Sequence, residues 1–138
     1  MAKPGEFIRA ADVVPLTYQQ LGADSSAITT VETVVGTLTF SAVNGVVYET
    51  RWSLKCVQSV GTDWFLISIR EDSVTGTVLD TWAFNNNTSS YGRMWVHSIN
   101  YTAASTASKS IVCTLVRGSG TGNITASAKS NWLIRRIT

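Results

Sequence analysis

From Val46 the sequence reads VVYETRWSLKCVQ, and every second residue is apolar or nearly so: Val46, Tyr48, Thr50, Trp52, Leu54 and Cys56. Glu49, Arg51, Ser53 and Lys55 stand between them. A period of two is what a strand with one buried face produces; a helix repeats at 3.6 and would scatter these residues around its surface. The segment Ser59-Val60-Gly61-Thr62-Asp63 follows, and then WFLISIR from Trp64, which is apolar on both sides at its start. Two such strands around a short Gly-bearing turn read as an antiparallel hairpin over residues 46–72, at the centre of an all-β domain.

The flanking sequence extends this pattern. Residues 29–43 form a first strand region whose apolar face switches near Gly36, and an interior glycine there marks a bulge. Asn44-Gly45 is the strongest hairpin-turn dipeptide in the chain. Residues 78–84, 91–101, 110–117, 123–129 and 132–137 read as further strands, separated by polar or Gly-rich loops. Residues 110–117 are apolar on both faces, as expected of a strand covered on both sides. About eight strands with turn signals every 8–15 residues predict a jelly-roll-like antiparallel β-sandwich. No three-turn helix can be drawn.

Residues 1–28 lack a steady period and are punctuated by Pro4, Gly5, Pro15 and Gly22. They nonetheless carry Phe7, Ile8, Val13, Leu16, Tyr18 and Leu21, more large apolar residues than a solvated tail holds. The division expected is an extended N-terminal arm over 1–28 and a sandwich domain over 29–138.

Composition narrows the function classes. Charged residues make up 14% of the 138 and the formal charge is +2, too little for a partner recognised through a phosphate backbone. Ser and Thr supply roughly a quarter of the chain, above ordinary usage, which suits sheet surfaces and packed assembly interfaces. No stretch reaches the ~18–20 apolar residues of a membrane span, and the first residues lack the apolar core of a signal peptide. Synthesis in a cytosol is expected, with neither nucleic acid nor membrane as partner. In that compartment Cys56 and Cys113, both on inner strand faces, are expected as buried thiols.

Chemistry-bearing residues are sparse. His97 lies mid-strand without a nucleophile-elbow motif. Glu71-Asp72, with Asp80 beyond, lacks the alternating acidic spacing of an EF-hand loop and reads as solvated. The Gly-rich run from Gly118 to Gly122 lacks the lysine and helix of a phosphate loop and reads as a hairpin turn. No catalytic residue, metal ligand or cofactor is assigned, and an enzyme is not expected. The five tryptophans (Trp52, Trp64, Trp82, Trp95, Trp132) read as core and interface residues ahead of sugar-stacking platforms.

One stretch carries a family resemblance. The run from Ile67 to Leu79, ISIREDSVTGTVL, resembles the L-x-I-R-E-G-S-x-x-G-T-x-L stretch of small β-domain structural proteins of tailed bacteriophages, departing from it at Asp72, where the pattern often has Gly. YETRW from Tyr48 and the hairpin over residues 120–128 look like theirs as well. The resemblance implies a virion component with a jelly-roll-like fold, often a homotrimer. It implies most specifically a decoration protein on the outer surface of the capsid, made in the bacterial cytoplasm and bound to the major capsid protein. Phe7, Ile8, Leu16 and Tyr18 are then the expected capsid contacts of the arm, and Trp82, Tyr91 and Trp95 the expected oligomer contacts. The alternatives are a tail-tip or fibre domain binding host glycan and a head-tail connector or tail-tube component.

Overall fold

The computed structural model describes residues 16–85, 87 and 92–137. Among them are nine strands and no helix: β1 (Thr17–Gln20), β2 (Thr33–Ala42), β3 (Val47–Gln58), β4 (Trp64–Glu71), β5 (Val78–Phe84), β6 (Gly92–Thr102), β7 (Ala107–Ser119), β8 (Ile124–Ala126) and β9 (Asn131–Arg136). The period-two run is β3. Tyr48, Thr50, Trp52, Leu54, Cys56 and Gln58 are all buried, while Glu49, Arg51, Ser53 and Lys55 alternate outward.

The strands divide into two antiparallel sheets. The first runs β1-β9-β3-β6, with β8 following β9 alongside β3; the second runs β2-β7-β4-β5. Chain order explains this arrangement. β4 and β5 form a hairpin, and the strands before and after it then pair outward in turn: β3 with β6, β2 with β7, β1 with β9. This is the wrapping of a jelly roll, eight strands in two sheets with a short ninth, β8, inserted before the last.

The hairpin expected over residues 46–72 is therefore corrected: β3 and β4 lie in different sheets. The link between them arches across the sandwich, and the buried Gln58 holds it by donating from Nε2 to the carbonyls of Val60 (2.6 Å) and Asp63 (3.2 Å). Asn44-Gly45 does make the tight turn, with Gly45 at φ +77°, but it too leads from the second sheet to the first. Gly118 to Gly122 likewise crosses from β7 to β8, closing on the Asp63 carboxylate, which accepts from Gly122 N at 2.5 Å. In each case the local turn chemistry specifies a reversal and leaves open whether the two strands meet edge to edge or face to face. Burial decides: facing inner sides packs Phe40 of β2 on Tyr48 of β3, ring centroids 4.9 Å apart.

The core lies between the sheets. Trp52 and Trp132 stack at 5.8 Å, and Leu38, Phe65, Ile67, Ile69, Ile111, Leu115 and Ile134 are fully enclosed. Burying each such side chain contributes about 1.5–3 kcal/mol. The bulge expected near Gly36 is present as a register shift between Val34 and Gly36. Ile111 to Leu115 of β7 are buried on both sides, as their two-faced apolarity predicts. Cys56 and Cys113 are both buried thiols.

Candidate functional site: the outer face of the second sheet

Strand register places three rungs of side chains across the outer face of the second sheet. Val116, Leu66 and Ala83 form one; Val34, Thr114, Ser68 and Thr81 the next; Thr37, Val112, Arg70 and Val78 the third. Trp64 extends β4 beyond the first rung, and Val31 stands ahead of β2. Val31 is 72% exposed, Trp64 48%, Val78 46%, Val34 39% and Leu66 36%. Hydroxyls on this face bond to one another, Ser68 Oγ to Thr81 Oγ1 at 2.9 Å and Thr39 Oγ1 to Ser110 Oγ at 3.0 Å.

The charges on this face cancel. Arg70 donates to Glu32 at two points, Nε to Oε1 at 2.7 Å and Nη2 to Oε2 at 2.9 Å, and Thr114 Oγ1 donates to the same carboxylate at 2.5 Å. Burial raises the Glu32 pKa, but the Arg70 and Thr114 hydrogen bonds and the Arg70 charge outweigh it and hold the carboxyl below its ordinary range. The pair lies over Thr114 and explains why a polar outer residue of β7 is fully buried.

The outer face of the first sheet differs in kind. It carries Glu49, Arg51 and Lys55 on β3 and Arg135 on β9, three cations against one carboxylate, with Arg135 bonded to Glu49. Met94 and Val96 on β6 are the exposed apolar side chains beside Lys55 and Ser53.

Of the expected capsid contacts, Leu16 and Tyr18 are 51% and 57% exposed at the first sheet's edge, where β1 pairs with β9. Phe7 and Ile8 lie outside the described residues, as does Tyr91 of the expected oligomer contacts. Trp82 and Trp95 are half-buried where β5 and β6 close the side of the sandwich. Trp82 lies 4.1 Å from the His97 ring and Trp95 4.7 Å from Phe84. Trp95 Nε1 is buried and meets no acceptor among the described residues. Among the described residues the two most exposed aromatic rings, Tyr18 and Trp64, stand on the outer faces of opposite sheets and cannot form one stacking platform.

The remaining candidates have local partners. His97 Nε2 meets Asp80 Oδ2 at 2.5 Å. Lys109 donates to Glu71 (2.9 Å) and Asp72 (3.3 Å), and Tyr101 donates its hydroxyl to Glu71 at 2.8 Å. Burial, then the Glu71 bond, push that hydroxyl up to about 12. No group of three or more metal-ligating side chains occurs among the described residues. The face built on Leu66, Val116 and Val34 was not singled out by sequence reading; its one signal is the two-sided apolarity of WFLISIR at its start.

No family model and no curated protein sequence matches the chain. Its fold is similar to that of a chain in the structure of infectious bursal disease virus Gt strain, at TM-score 0.61 and 14% identity over 99% of this chain. A chain from the Gx strain of the same virus gives 0.57 and 15% over 88%. This chain spans 37% and 31% of those two chains, about a third of their length. A carbohydrate-binding module from Cellvibrio mixtus lichenase 5A, solved with cellotriose, superposes less closely, at TM-score 0.45 and 12% identity, covering 91% of this chain and 100% of the module. The two virus chains share the sandwich fold with this chain.

Proposed function

We propose that the chain is a structural protein of a virion, and most specifically a decoration protein bound to the outer surface of a tailed-bacteriophage head, where it stabilises contacts between major capsid subunits. The observation that carries the assembly role in this reading is the second sheet's outer face: exposed Val, Leu and Trp among paired hydroxyls, with the Arg70–Glu32 ion pair neutralised in place. A sandwich whose core is already complete gains nothing internally from such a face, and its burial against another surface is favourable. Similarity to virus chains over nearly the whole length supports the reading, as does the bacteriophage-like run from Ile67 to Leu79.

The mechanism is mechanical and not enzymatic. Leu16 and Tyr18 stand at the first sheet's edge, with Phe7 and Ile8 ahead of them in sequence, and in this reading these residues grip the capsid. Interfaces of ordinary size, on the order of 1,000–2,000 Å², suffice to clamp neighbouring subunits. The test is the copy number of this chain in purified particles, measured by quantitative mass spectrometry against the major capsid protein. Hundreds of copies, near parity, are expected. A handful per particle would transfer the chain to a tail tip or connector, and absence from particles would end the virion reading.

A further inference from the structure

We infer that the outer face of the second sheet is the contact between two copies of this chain, related by a two-fold axis. The inference deepens the assembly reading above by naming the partner of that face. Electrostatic complementarity selects a second copy. In a two-fold contact each face meets itself, so any net charge on it is doubled in the interface. The second sheet's face carries Glu32 and Arg70, bonded to each other, and otherwise uncharged side chains along its rungs. Two such faces meet without like-charge repulsion. The first sheet's face, with Arg51, Lys55 and Arg135 against Glu49, would set an excess of cations against its own copy.

The area is adequate. Four strands spaced ~4.8 Å apart, over about eight residues at ~3.4 Å each, present roughly 500 Å² per copy before side-chain relief is counted. Two copies thus bury on the order of 1,000 Å², the threshold for a specific interface. Trp64, exposed at the start of β4, adds to it. A two-fold contact is a different assembly from the trimer that the phage resemblance implies, and it leaves Leu16 and Tyr18 on the first sheet free for the capsid.

The test is sedimentation velocity on the full chain over a hundredfold range of concentration. Twice the 14.9 kDa chain mass is expected at the upper end. Leu66→Glu and, independently, Ala83→Glu should each weaken association at least tenfold. Lys55→Glu on the other face should leave it unchanged. Circular dichroism and thermal melts establish that each variant is folded, and Ala83, already exposed on an edge strand, is the safer site. A wild-type chain that is monomeric throughout overturns the inference, as does association that neither Glu variant weakens. Particle binding lost in Leu66→Glu while the free wild-type chain stays monomeric would assign the face to the capsid protein. That outcome overturns the two-fold contact and leaves the decoration reading standing.

Discussion

Arg70 and Glu32 lie 38 residues apart in sequence and meet in a two-point ion pair on the second sheet's outer face. Arg70 also donates from Nη1 to the carbonyl of Gly76 at 3.1 Å. One guanidinium thus ties the β4–β5 hairpin loop to the segment that enters β2 across the intervening β7. Both side chains are mostly buried, at 18% and 25% exposure, so the pair is screened less than a surface bridge. Arg70→Ala leaves a largely buried carboxylate with only Thr114 as donor, and a loss of about 1–3 kcal/mol is expected in urea denaturation.

The same pair gives a pH signature. Folding lowers the Glu32 pKa, so its contribution is present above the unfolded carboxylate value of about 4.3 and is lost as pH falls through the folded value. The stability difference between wild type and Glu32→Gln should be largest near pH 7 and shrink below about pH 4. A difference that stays constant from pH 7 to pH 3 would show that the carboxylate's charge does not matter there.

Within the hairpin loop, substitutions at Gly76 and at Asp72 should have different consequences. A Cβ on Gly76 would sit 1.7 Å from the Glu71 carbonyl oxygen, a backbone atom that cannot yield. Gly76→Ala should cost about 2–3 kcal/mol or more, because the loop must open. Asp72 has φ +67°, the left-handed region where glycine is unstrained, and this is the position at which the phage pattern often has Gly. Asp72→Gly should therefore be neutral or stabilising by less than about 1 kcal/mol, once the added freedom of the unfolded chain is counted. Thermal melts of the two variants decide both signs.

Glycine also sets the packing of the core at Gly36. Three indole carbons of Trp132 lie 3.0 Å from where a Cβ would stand. The indole has little room to retreat, since it stacks on Trp52 and donates from Nε1 to Thr37 O (3.0 Å) and Gln19 Oε1 (3.2 Å). Gly36→Ala should cost about 1–3 kcal/mol through overpacking, with a shift in tryptophan emission as the Trp52–Trp132 stack is displaced. Unchanged stability would mean that the bulge absorbs the methyl group.

Much of the sandwich is legible in sequence because alternation encodes which face is buried, and β3 shows it residue by residue from Tyr48 to Gln58. Sheet membership is not encoded that way. Asn44-Gly45, Ser59 to Asp63 and Gly118 to Gly122 reverse the chain equally well for strands that pair and for strands that face each other across a core, so three expected hairpins became crossings between sheets. The phage-like run at Arg70, Asp72 and Gly76 proves to be the loop of the one hairpin about which the roll is wound, a structural demand before a functional one. The candidate face escaped sequence reading for a related reason. Leu66, Val116 and Val34 are unremarkable singly and become a surface only when the register aligns β4, β7 and β2.

The buried thiols allow a last prediction. Cys56 and Cys113 have no measurable exposure, and burial pushes the Cys56 thiol up to about 12 and the Cys113 thiol well above its ordinary value. Reaction with a disulfide reagent needs both access and a thiolate, and the native fold withholds both. Native protein at pH 8 should release no colour with Ellman's reagent over an hour, whereas protein in 6 M guanidinium should titrate two thiols per chain. Because each thiol becomes reactive only when the two sheets separate, the rate of labelling in intermediate denaturant should track global unfolding and not a local opening. Rapid labelling of one cysteine in the native state would place a local opening between the sheets at β3 or β7.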